Sequence, residues 1–351
     1  MSSSISAATL GRVRLVVQIL SFLFLVYGGL LVGHYSAEKI SGSLPALSCA
    51  YDQLNGGYCV LIPTQHQLHH RVGEALVQMQ QFSYKVIIPL LFTFLSFYVF
   101  FVFLNKMFCG WICPLGTFQE MMYKMSHFFG LQKNHSLSVN QLRFIRPIKW
   151  LMLAILVFIL PLVAGLGVAP HAAGDAFCQV CPSRVLTTLA SGNFEQLTIS
   201  TAGVADIIFS SIRALLFGSI VVLSMTMRQP FCRICPLLAF NALFQKLSPM
   251  RLVKKEHEKC EKCGVCTKAC PMDIQEIWKE SGSKAFHDDC TLCGRCAEFC
   301  PDDNVIQVKF GPIALFSSSR EYYKKRIKQE KPEGIKPTKK AKLRPVAVEP
   351  N

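Results

Sequence analysis

Four long apolar runs occupy the first two-thirds of the chain, and each is long enough to cross a lipid bilayer. They cover residues 15–33, 86–104, 151–169 and 207–227. A hydrocarbon core of about 30 Å requires about 20 apolar residues in a helix, whereas buried helices of soluble proteins are usually shorter and alternate with charged stretches. Only Gln18 and Arg213 place a strongly polar group in these runs. The pattern therefore predicts four membrane-spanning helices.

The first apolar run also has the outline of a secretory signal, because Arg12 and Arg14 precede it. Its apolar core is long, however, and no small-x-small cleavage site follows it. We therefore expect this run to remain as a membrane anchor. The composition supports an integral membrane protein, since 51% of the 351 residues are apolar and only 17% are charged.

Basic residues are concentrated in alternate connections between the predicted spans. They precede the first span, separate the second from the third and follow the fourth: Arg12, Arg14, Lys106, Lys124, Lys133, Arg143, Arg146, Lys149, Arg228, Arg233, Lys246, Arg251, Lys254 and Lys255. The connections at 34–85 and 170–206 contain few by comparison. Because connections rich in lysine and arginine stay in the cytoplasm, we predict a multi-pass protein of the bacterial inner membrane with both termini cytoplasmic.

The region 250–312 contains one cysteine pattern twice, Cys-x2-Cys-x2-Cys-x3-Cys-Pro. In bacterial two-cluster ferredoxins the first three cysteines of such a run bind one 4Fe-4S cluster and the fourth binds the other. We therefore assign the first cluster to Cys260, Cys263, Cys266 and Cys300. The second is assigned to Cys290, Cys293, Cys296 and Cys270.

Structural zinc is the alternative for these eight cysteines, because thiolates bind zinc as well as iron–sulfur clusters. Zinc sites usually separate two CxxC pairs by a longer loop, whereas here three cysteines fall within seven residues and a Cys-Pro follows. Gly264 and Gly294 stand between the second and third ligands, where a side chain would crowd the backbone around a cluster. The spacing favours an α+β ferredoxin-like module with two 4Fe-4S clusters, cytoplasmic like the termini.

The membrane region consists of two similar halves, residues 12–126 and 147–248. Each half runs from a helix to an outer cysteine pair, a second helix and an inner cysteine pair. The sequence Phe108-Cys109-Gly-Trp-Ile-Cys113-Pro is echoed by Phe231-Cys232-Arg-Ile-Cys235-Pro. Parallel repeats imply a pseudo-twofold axis along the membrane normal, which brings equivalent loops together. We expect Cys109, Cys113, Cys232 and Cys235 to form one inner metal or cluster site.

The outer pairs are Cys49 with Cys59 and Cys178 with Cys181. By the same symmetry they can form a second four-thiolate site. Disulfides are the alternative outside, where the compartment is oxidising, and a CxxC disulfide would indicate thiol exchange. Inside, the alternative is that reduced thiols pack as small apolar groups.

Three polar residues of the membrane region are candidates for a quinone site. Arg213 lies within the fourth span, where a charge needs a partner or a polar cavity; the alternative is that it reaches the outer interface. His34 and His171 follow the first and third spans at equivalent positions and can exchange protons with a quinol. The group His66, His69 and His70 has no acidic or cysteine residue at clear metal spacing, so we expect it to be solvated.

These motifs resemble the NapH-type polyferredoxins, the membrane quinol dehydrogenase subunits associated with periplasmic nitrate reductase. The inner motifs ending at Pro114 and Pro236, followed by the two ferredoxin runs, carry the resemblance over about residues 12–310. Related membrane and ferredoxin modules occur in NosR, MauN and CcoG. The resemblance implies an electron-transfer subunit between the quinone pool and a reductase, with a periplasmic or membrane redox partner.

Two other functions stay open at this point. A CcoG-like metal-handling or maturation factor would use the membrane cysteines to bind or reduce copper, because thiolates suit Cu(I). A redox-sensing regulator would use the same clusters without turnover. Nucleic-acid binding is not expected, since no ordered basic face with base-reading residues is evident.

The predicted domains are therefore a membrane domain at 1–249, a ferredoxin module at 250–312 and a tail at 313–351. Much of the formal charge of +15 comes from basic residues beyond Arg320, which stand among several prolines. A segment of this composition cannot bury enough apolar surface to fold. We expect the tail to be disordered.

Overall fold

The computed structural model describes residues 10–32, 61, 64–65, 67–77, 88, 91, 95, 99, 102–130, 137–201, 203–255, 260 and 263–329. Cys49, Cys59, His34 and His66 lie outside the described residues, and so does most of the predicted span at 86–104. The expectations for those residues stay predictions.

Thirteen α-helices are defined within the described part of the chain. In order they are α1 (Leu10–Val32), α2 (Glu74–Val77), α3 (Pro114–Phe128), α4 (Val139–Met152), α5 (Leu160–Gly165), α6 (Ala176–Val180), α7 (Pro182–Ala190), α8 (Val204–Thr226), α9 (Pro236–Leu243), α10 (Val265–Ala269), α11 (Glu276–Lys279), α12 (Arg295–Glu298) and α13 (Arg320–Gln329). Short π-helical turns cover Gln67–Gly73, Phe108–Ile112 and Leu153–Ile159, and 3-10 turns cover His171–Asp175, Glu195–Leu197 and Phe231–Arg233.

Three helices in the described residues are long and apolar enough to cross a membrane. They cover Leu10–Tyr27 within α1, Val139–Gly165 through α4 and α5, and Val204–Thr226 in α8. The third predicted span was placed at 151–169, but its helix begins twelve residues earlier at Val139. Ser138 explains this start, because it and Gln141 form a reciprocal capping box that satisfies the first backbone N–H groups. The first turns of α4, which contain polar as well as apolar residues, therefore extend the helix beyond the N-terminal end of the apolar run.

The ferredoxin module is built on a three-stranded antiparallel sheet in the order β1 (Met250–Lys254), β2 (Ile306–Phe310) and β3 (Ile313–Ser317). Leu252 of β1 pairs with Val308 of β2. The cysteine runs and the short helices α10, α11 and α12 lie between β1 and β2 in the chain. The ligand loops are therefore flanked in the chain by β1 and β2, and the pairing of these two strands holds the ends of the loop region together.

The boundary predicted after residue 312 is wrong. Residues 313–317 form β3, which pairs with β2, and α13 follows at Arg320–Gln329. The Tyr322 hydroxyl accepts a hydrogen bond from the backbone N–H of Leu10, and Arg326 pairs with Glu298 at 3.5 Å. These contacts order the first part of a segment whose composition alone indicates disorder. Residues 330–351 lie outside the described part.

The membrane domain and the ferredoxin module share one apolar core. It continues from Val157, Phe231 and Leu238 of the membrane region to Met272 and Ile274 of the module. All five side chains are at most 4% exposed. The module is therefore packed directly onto the membrane helices.

We predict that Ile274→Ala lowers stability by about 2–5 kcal/mol, because Ile274 is fully buried and the truncation leaves a cavity. The measurement is the temperature at which the purified protein loses its visible cluster absorbance under anaerobic conditions. Ile313→Ala is the matched control, because Ile313 is 63% exposed. Equal midpoints for the two variants would contradict the packing described here.

Candidate metal centres

The structure brings together the four cysteines assigned to the first cluster. Cys260, Cys263, Cys266 and Cys300 line one cavity beside Lys254. Burial, with repulsion by the neighbouring Cys263 as the next cause, raises the pKa of Cys266 to about 12. Thiolates that line one cavity repel one another, and an iron–sulfur core supplies the positive charge that offsets this repulsion. The cavity, which we call site A, therefore fits the predicted cluster.

The other four ferredoxin cysteines line a second cavity, site B. Cys270, Cys290, Cys293 and Cys296 meet there with Ile274 and Ile277. Cys270 comes from the first cysteine run and the other three from the second, so the structure has the crossed arrangement expected from the spacing. Burial is the main cause that raises the pKa of Cys296, and among its neighbours are both Cys270 of site B and Cys266 of site A. The two sites are thus adjacent.

Gly264 and Gly294 take equivalent positions in the two ligand loops. Each is the residue before a short helix, with φ of +69° and +77° respectively. Side chains rarely adopt this left-handed conformation, so glycine is favoured. Crowding was the predicted reason for these glycines, and the left-handed backbone conformation is a second one; a Cβ atom at Gly294 would also lie 2.9 Å from Cδ2 of Leu10.

One buried lysine lies beside each site. Lys254 is 1% exposed and donates hydrogen bonds to the carbonyls of Ile277, at 2.7 Å, and Trp278, at 3.2 Å. Beside site B, Lys106 is also 1% exposed and donates to the carbonyl of Asp288 at 2.7 Å. Burial lowers the pKa of Lys106 to about 8, while the nearby Cys290 favours the charged form. Cations in these positions offset the negative charge that thiolate-bound clusters carry.

In the structure the inner cysteines of the two membrane halves lie within electrostatic reach of one another. Burial raises the pKa of Cys232, and the next causes are repulsion by Cys113, Cys235 and Cys109. Burial likewise raises the pKa of Cys109 to about 12, with Cys113 as the next cause. We call this group of four thiols the inner site. Its local structure includes the π-helical turn at Phe108–Ile112 and the 3-10 turn at Phe231–Arg233.

The inner site touches the ligand loop of site B through Gly110. A Cβ atom at Gly110 would lie 2.3 Å from the carbonyl oxygen of Thr291 and 3.2 Å from the backbone nitrogen of Cys293. The next residue, Trp111, donates its indole N–H to the carbonyl of Leu292 at 3.1 Å. The absence of a side chain at Gly110 therefore permits backbone contact between the two cysteine groups.

A polar network from α1 and α3 holds the same junction. Arg14 donates to the carbonyl of Cys293 at 3.2 Å and pairs with Glu120 at 2.5 Å, while Gln18 donates to the carbonyl of Gly110 at 3.3 Å. Burial opposes ionisation of Glu120, but Arg14, Lys124 and Arg295 hold the pKa of its carboxyl well below the usual range. Gln18 is therefore buried at this junction and does not face lipid.

Cys178 and Cys181, which make up half of the predicted outer site, are both buried. Burial raises the pKa of Cys181, and the next causes are Cys178 and then Cys235 of the inner site. Both Cys178 and Cys181 are free cysteines in the structure. The segment that contains α6 and α7 brings Cys181 next to the inner site.

The motif around Cys232 and Cys235 is repeated around Cys178 and Cys181. Phe177-Cys178-Gln-Val-Cys181-Pro182 matches Phe231-Cys232-Arg-Ile-Cys235-Pro236 in spacing. The backbone N–H of Phe177 donates to the side chain of Gln65, and the N–H of Phe231 donates to that of Gln119, both at 3.1 Å. Neither glutamine was among the predicted site residues. The signal was present, because each stands six residues after a cysteine, Cys59 or Cys113.

The quinone-site candidates occupy different surroundings. Arg213 is 7% exposed and donates to the carbonyl of Thr198 at 3.4 Å. Cys178 and Arg184 lie near enough to influence its charge. His171 instead groups with His69 and His70, so the expectation that His69 and His70 are merely solvated is wrong.

The comparisons with known proteins identify iron–sulfur domains in two parts of the chain. A 4Fe-4S binding domain matches residues 86–132 and again 212–255, and a 4Fe-4S dicluster domain matches 252–331. Each copy of the first contains one inner cysteine pair. The second extends past 312, in agreement with the corrected boundary of the module.

Three relatives are similar to about half of the chain. The uncharacterized protein MJ0750 of Methanocaldococcus jannaschii is 31% identical over 49% of this chain and 61% of its own length. The electron transport protein YccM of Escherichia coli is 28% identical over 51% and 45%, and the methylamine utilization ferredoxin-type protein MauN of Methylobacillus flagellatus is 23% identical over 49% and 50%. The chain thus spans about half of the length of these relatives. No solved structure matches. Together with the apolar helices, the matches support a membrane-associated ferredoxin-type iron–sulfur protein.

We predict that Gly110→Ala displaces the site B loop, because the new methyl group would overlap the Thr291 carbonyl. The expected result is a changed low-temperature paramagnetic spectrum of the site B cluster and a lower midpoint for thermal loss of cluster absorbance. Gly218→Ala is the control, since a Cβ atom there meets nothing within 4 Å. If both variants keep the wild-type spectrum and midpoint, the contact at Gly110 is not present in the protein.

Proposed function

We propose that this protein is a membrane-bound iron–sulfur electron-transfer subunit that passes electrons between the quinone pool and a reductase system. The observation that carries the proposal is a continuous series of cysteine groups. It runs from site A through site B and the inner site to Cys178 and Cys181. Each group contacts or electrostatically influences the next.

The cofactors of the proposal are two 4Fe-4S clusters in the ferredoxin module, one held by the site A cysteines and the other by the site B cysteines. Such clusters accept and donate single electrons. The matched dicluster domain supports this assignment. The residues of the chain itself fix the ligand loops, exclude water and supply the buried positive charges of Lys254 and Lys106.

We extend the proposal to a further thiolate-bound iron–sulfur centre at the inner site. The 4Fe-4S binding domain that matches twice supports it, because each copy brings one inner cysteine pair to the same place. Reduced thiols that pack as apolar groups would not require this convergence of four. Asn241 also donates to the sulfur of Cys109 at 3.4 Å, and Gln119 donates to that of Cys232 at 3.8 Å. Hydrogen bonds to ligand sulfurs are one way in which proteins tune cluster potentials.

The contacts between the groups define a route for electrons. Cys266 and Cys296 bring site A next to site B, Gly110 and Trp111 join site B to the inner site, and Cys181 lies beside Cys235. A bilayer of about 30 Å is too wide for one direct transfer. Intermediate groups inside the membrane domain shorten each step. The outer site of the sequence prediction, which includes Cys49 and Cys59, stays a proposal.

Arg213 is the residue we favour for the quinone site. It lies within an apolar helix and close to Cys178, where its positive charge can stabilise the negative charge that a quinone develops on reduction. Cytoplasmic placement of the ferredoxin module, an inner-membrane location and a periplasmic or membrane redox partner complete the proposal. The names of YccM and MauN, which refer to electron transport and to a ferredoxin type, agree with it.

We predict that Cys263→Ser removes the site A cluster, because the variant loses one of its thiolate ligands. Cys113→Ser should remove the inner centre and leave both ferredoxin clusters intact. The measurement combines iron and sulfide quantitation with low-temperature paramagnetic spectra of anaerobically purified protein. A wild-type iron content of about eight atoms per chain, the content of two 4Fe-4S clusters, would argue against an inner centre. Loss of the ferredoxin signals in Cys113→Ser would contradict the separation of the sites.

We predict that Arg213→Gln slows the reduction of the clusters by quinol in proteoliposomes by about tenfold or more, the equivalent of at least about 1.4 kcal/mol. Reduction by dithionite should be unchanged, because dithionite does not need the quinone site. Lys246→Gln, which removes an exposed charge from the connection after the fourth span, serves as the control. If no quinol reduces the wild-type clusters and the protein binds copper stoichiometrically, the metal-handling function replaces this proposal.

A further inference from the structure

Three histidines from two distant parts of the sequence meet in the membrane domain. His69 and His70 lie in the π-helical turn Gln67–Gly73, and His171 begins a 3-10 turn about one hundred residues later. The ring centroids of His69 and His171 are 4.8 Å apart, and those of His69 and His70 are 4.1 Å apart. One ring nitrogen from each histidine lies within 4.8 Å of the others.

Close backbone packing produces this cluster. A Cβ atom at Gly73 would lie 2.6 Å from the Cα of Gly165, and one at Gly165 would lie 2.3 Å from the carbonyl oxygen of His69. A Cβ atom at Gly174 would lie 2.2 Å from Nδ1 of His69. Three positions without side chains thus allow the turn at 67–73 to pack against α5 and the turn at 171–175. The convergence of the histidines is built into the tertiary structure.

From this geometry we propose that His69, His70 and His171 bind one divalent transition-metal ion of the zinc type. In a tetrahedral site with metal–nitrogen bonds of about 2.0–2.1 Å, ligand nitrogens are about 3.3–3.4 Å apart. The ring nitrogens lie within 4.8 Å of one another, so binding requires the rings to move closer together. Neutral imidazole is a ligand for zinc, copper, iron and nickel, so the site differs in chemistry from the cysteine groups, which suit iron–sulfur clusters.

Glu74 supplies the outer support that such a site needs. Its carboxylate lies 2.8 Å from Nδ1 of His70, one helical turn away. Histidine ligands of metal ions usually donate their other ring N–H to a carboxylate or carbonyl, which fixes the tautomer and presents the remaining nitrogen to the metal. In His70 this remaining nitrogen is Nε2.

The exposure of the three histidines leaves one side of the proposed site open to solvent. His69 is 4% exposed, His70 is half-buried and His171 is exposed. Three protein ligands with one open side leave a fourth position for water or another small ligand, as in catalytic zinc sites. The ion would also tie the 67–77 segment to 171–181. Cys178 and Cys181 lie in the second of these segments, and Gln65 lies just before the first. The ion would therefore also hold Cys178 and Cys181 in place.

The test uses the full-length protein, purified anaerobically in detergent, incubated with zinc chloride and desalted. We expect one zinc ion per chain in addition to the iron. The extended X-ray absorption fine structure at the zinc edge should show nitrogen or oxygen neighbours at about 2.0–2.1 Å and no sulfur at about 2.3 Å. His171→Ala should lose this zinc while its iron content stays unchanged, which shows that the variant is folded. Glu74→Gln should weaken zinc binding by about 10–100-fold.

His135→Ala, which removes a histidine elsewhere in the sequence, is the matched control and should bind zinc like the wild type. A sulfur shell around the zinc, no zinc beyond background, or unchanged binding in His171→Ala would each overturn the proposal. If His171→Ala keeps its zinc but loses reduction of the clusters by quinol, the histidines belong to the quinone site instead. The iron count and the quinol assay test the electron-transfer proposal separately, so failure of one proposal does not imply failure of the other.

Discussion

The backbone contact at Gly110 is the constraint on which the rest of the architecture depends. It lets the loop between Cys109 and Cys113 lie directly against the loop between Cys290 and Cys293, so a membrane helix and a ferredoxin module become one packed body. Had a side chain been present, the overlap with the Thr291 carbonyl would separate the inner site from site B. Arg14, Gln18 and Trp111 then hold the junction by hydrogen bonds to backbone carbonyls on both sides. Packing and the proposed electron route thus rest on the same few atoms.

Electrostatics sets the second requirement. Burial raises the pKa of thiols such as Cys109, Cys266 and Cys290 to about 12, so the protein does not keep these groups ionised by itself. Lys254 and Lys106 are buried next to the cysteines rather than in solvent. Burying a charge is costly unless it has a partner, and backbone carbonyls, together with the proposed clusters, are suitable partners for these lysines. The positive charge of this chain therefore has a structural use near the sites, in addition to its effect on membrane orientation.

Much of the candidate site could be predicted because ligand spacing is a local property. Only five residues lie between Cys260 and Cys266, so three ligands are close together in the chain itself, and the crossed fourth ligand follows the known ferredoxin pattern. The convergence of Cys109, Cys113, Cys232 and Cys235 was predictable from the internal repeat. The ordered segment after residue 312 was not, because β3 gains its stability from pairing with β2 and α13 from contacts with α1 and α12. Composition alone does not show such tertiary contacts.

The sequence by itself determined the apolar spans, the two ferredoxin runs and the grouping of the inner cysteines, since each depends on residue type at short and regular spacing. Only the tertiary structure decided that Cys181 lies beside Cys235, that Gln65 and Gln119 support equivalent turns, and that His171 meets His69 and His70. The physical reason is distance along the chain. Cys181 and Cys235 lie 54 positions apart in the chain and the other partners about one hundred, and in the histidine group it is close packing at Gly165 and Gly174 that permits the contact.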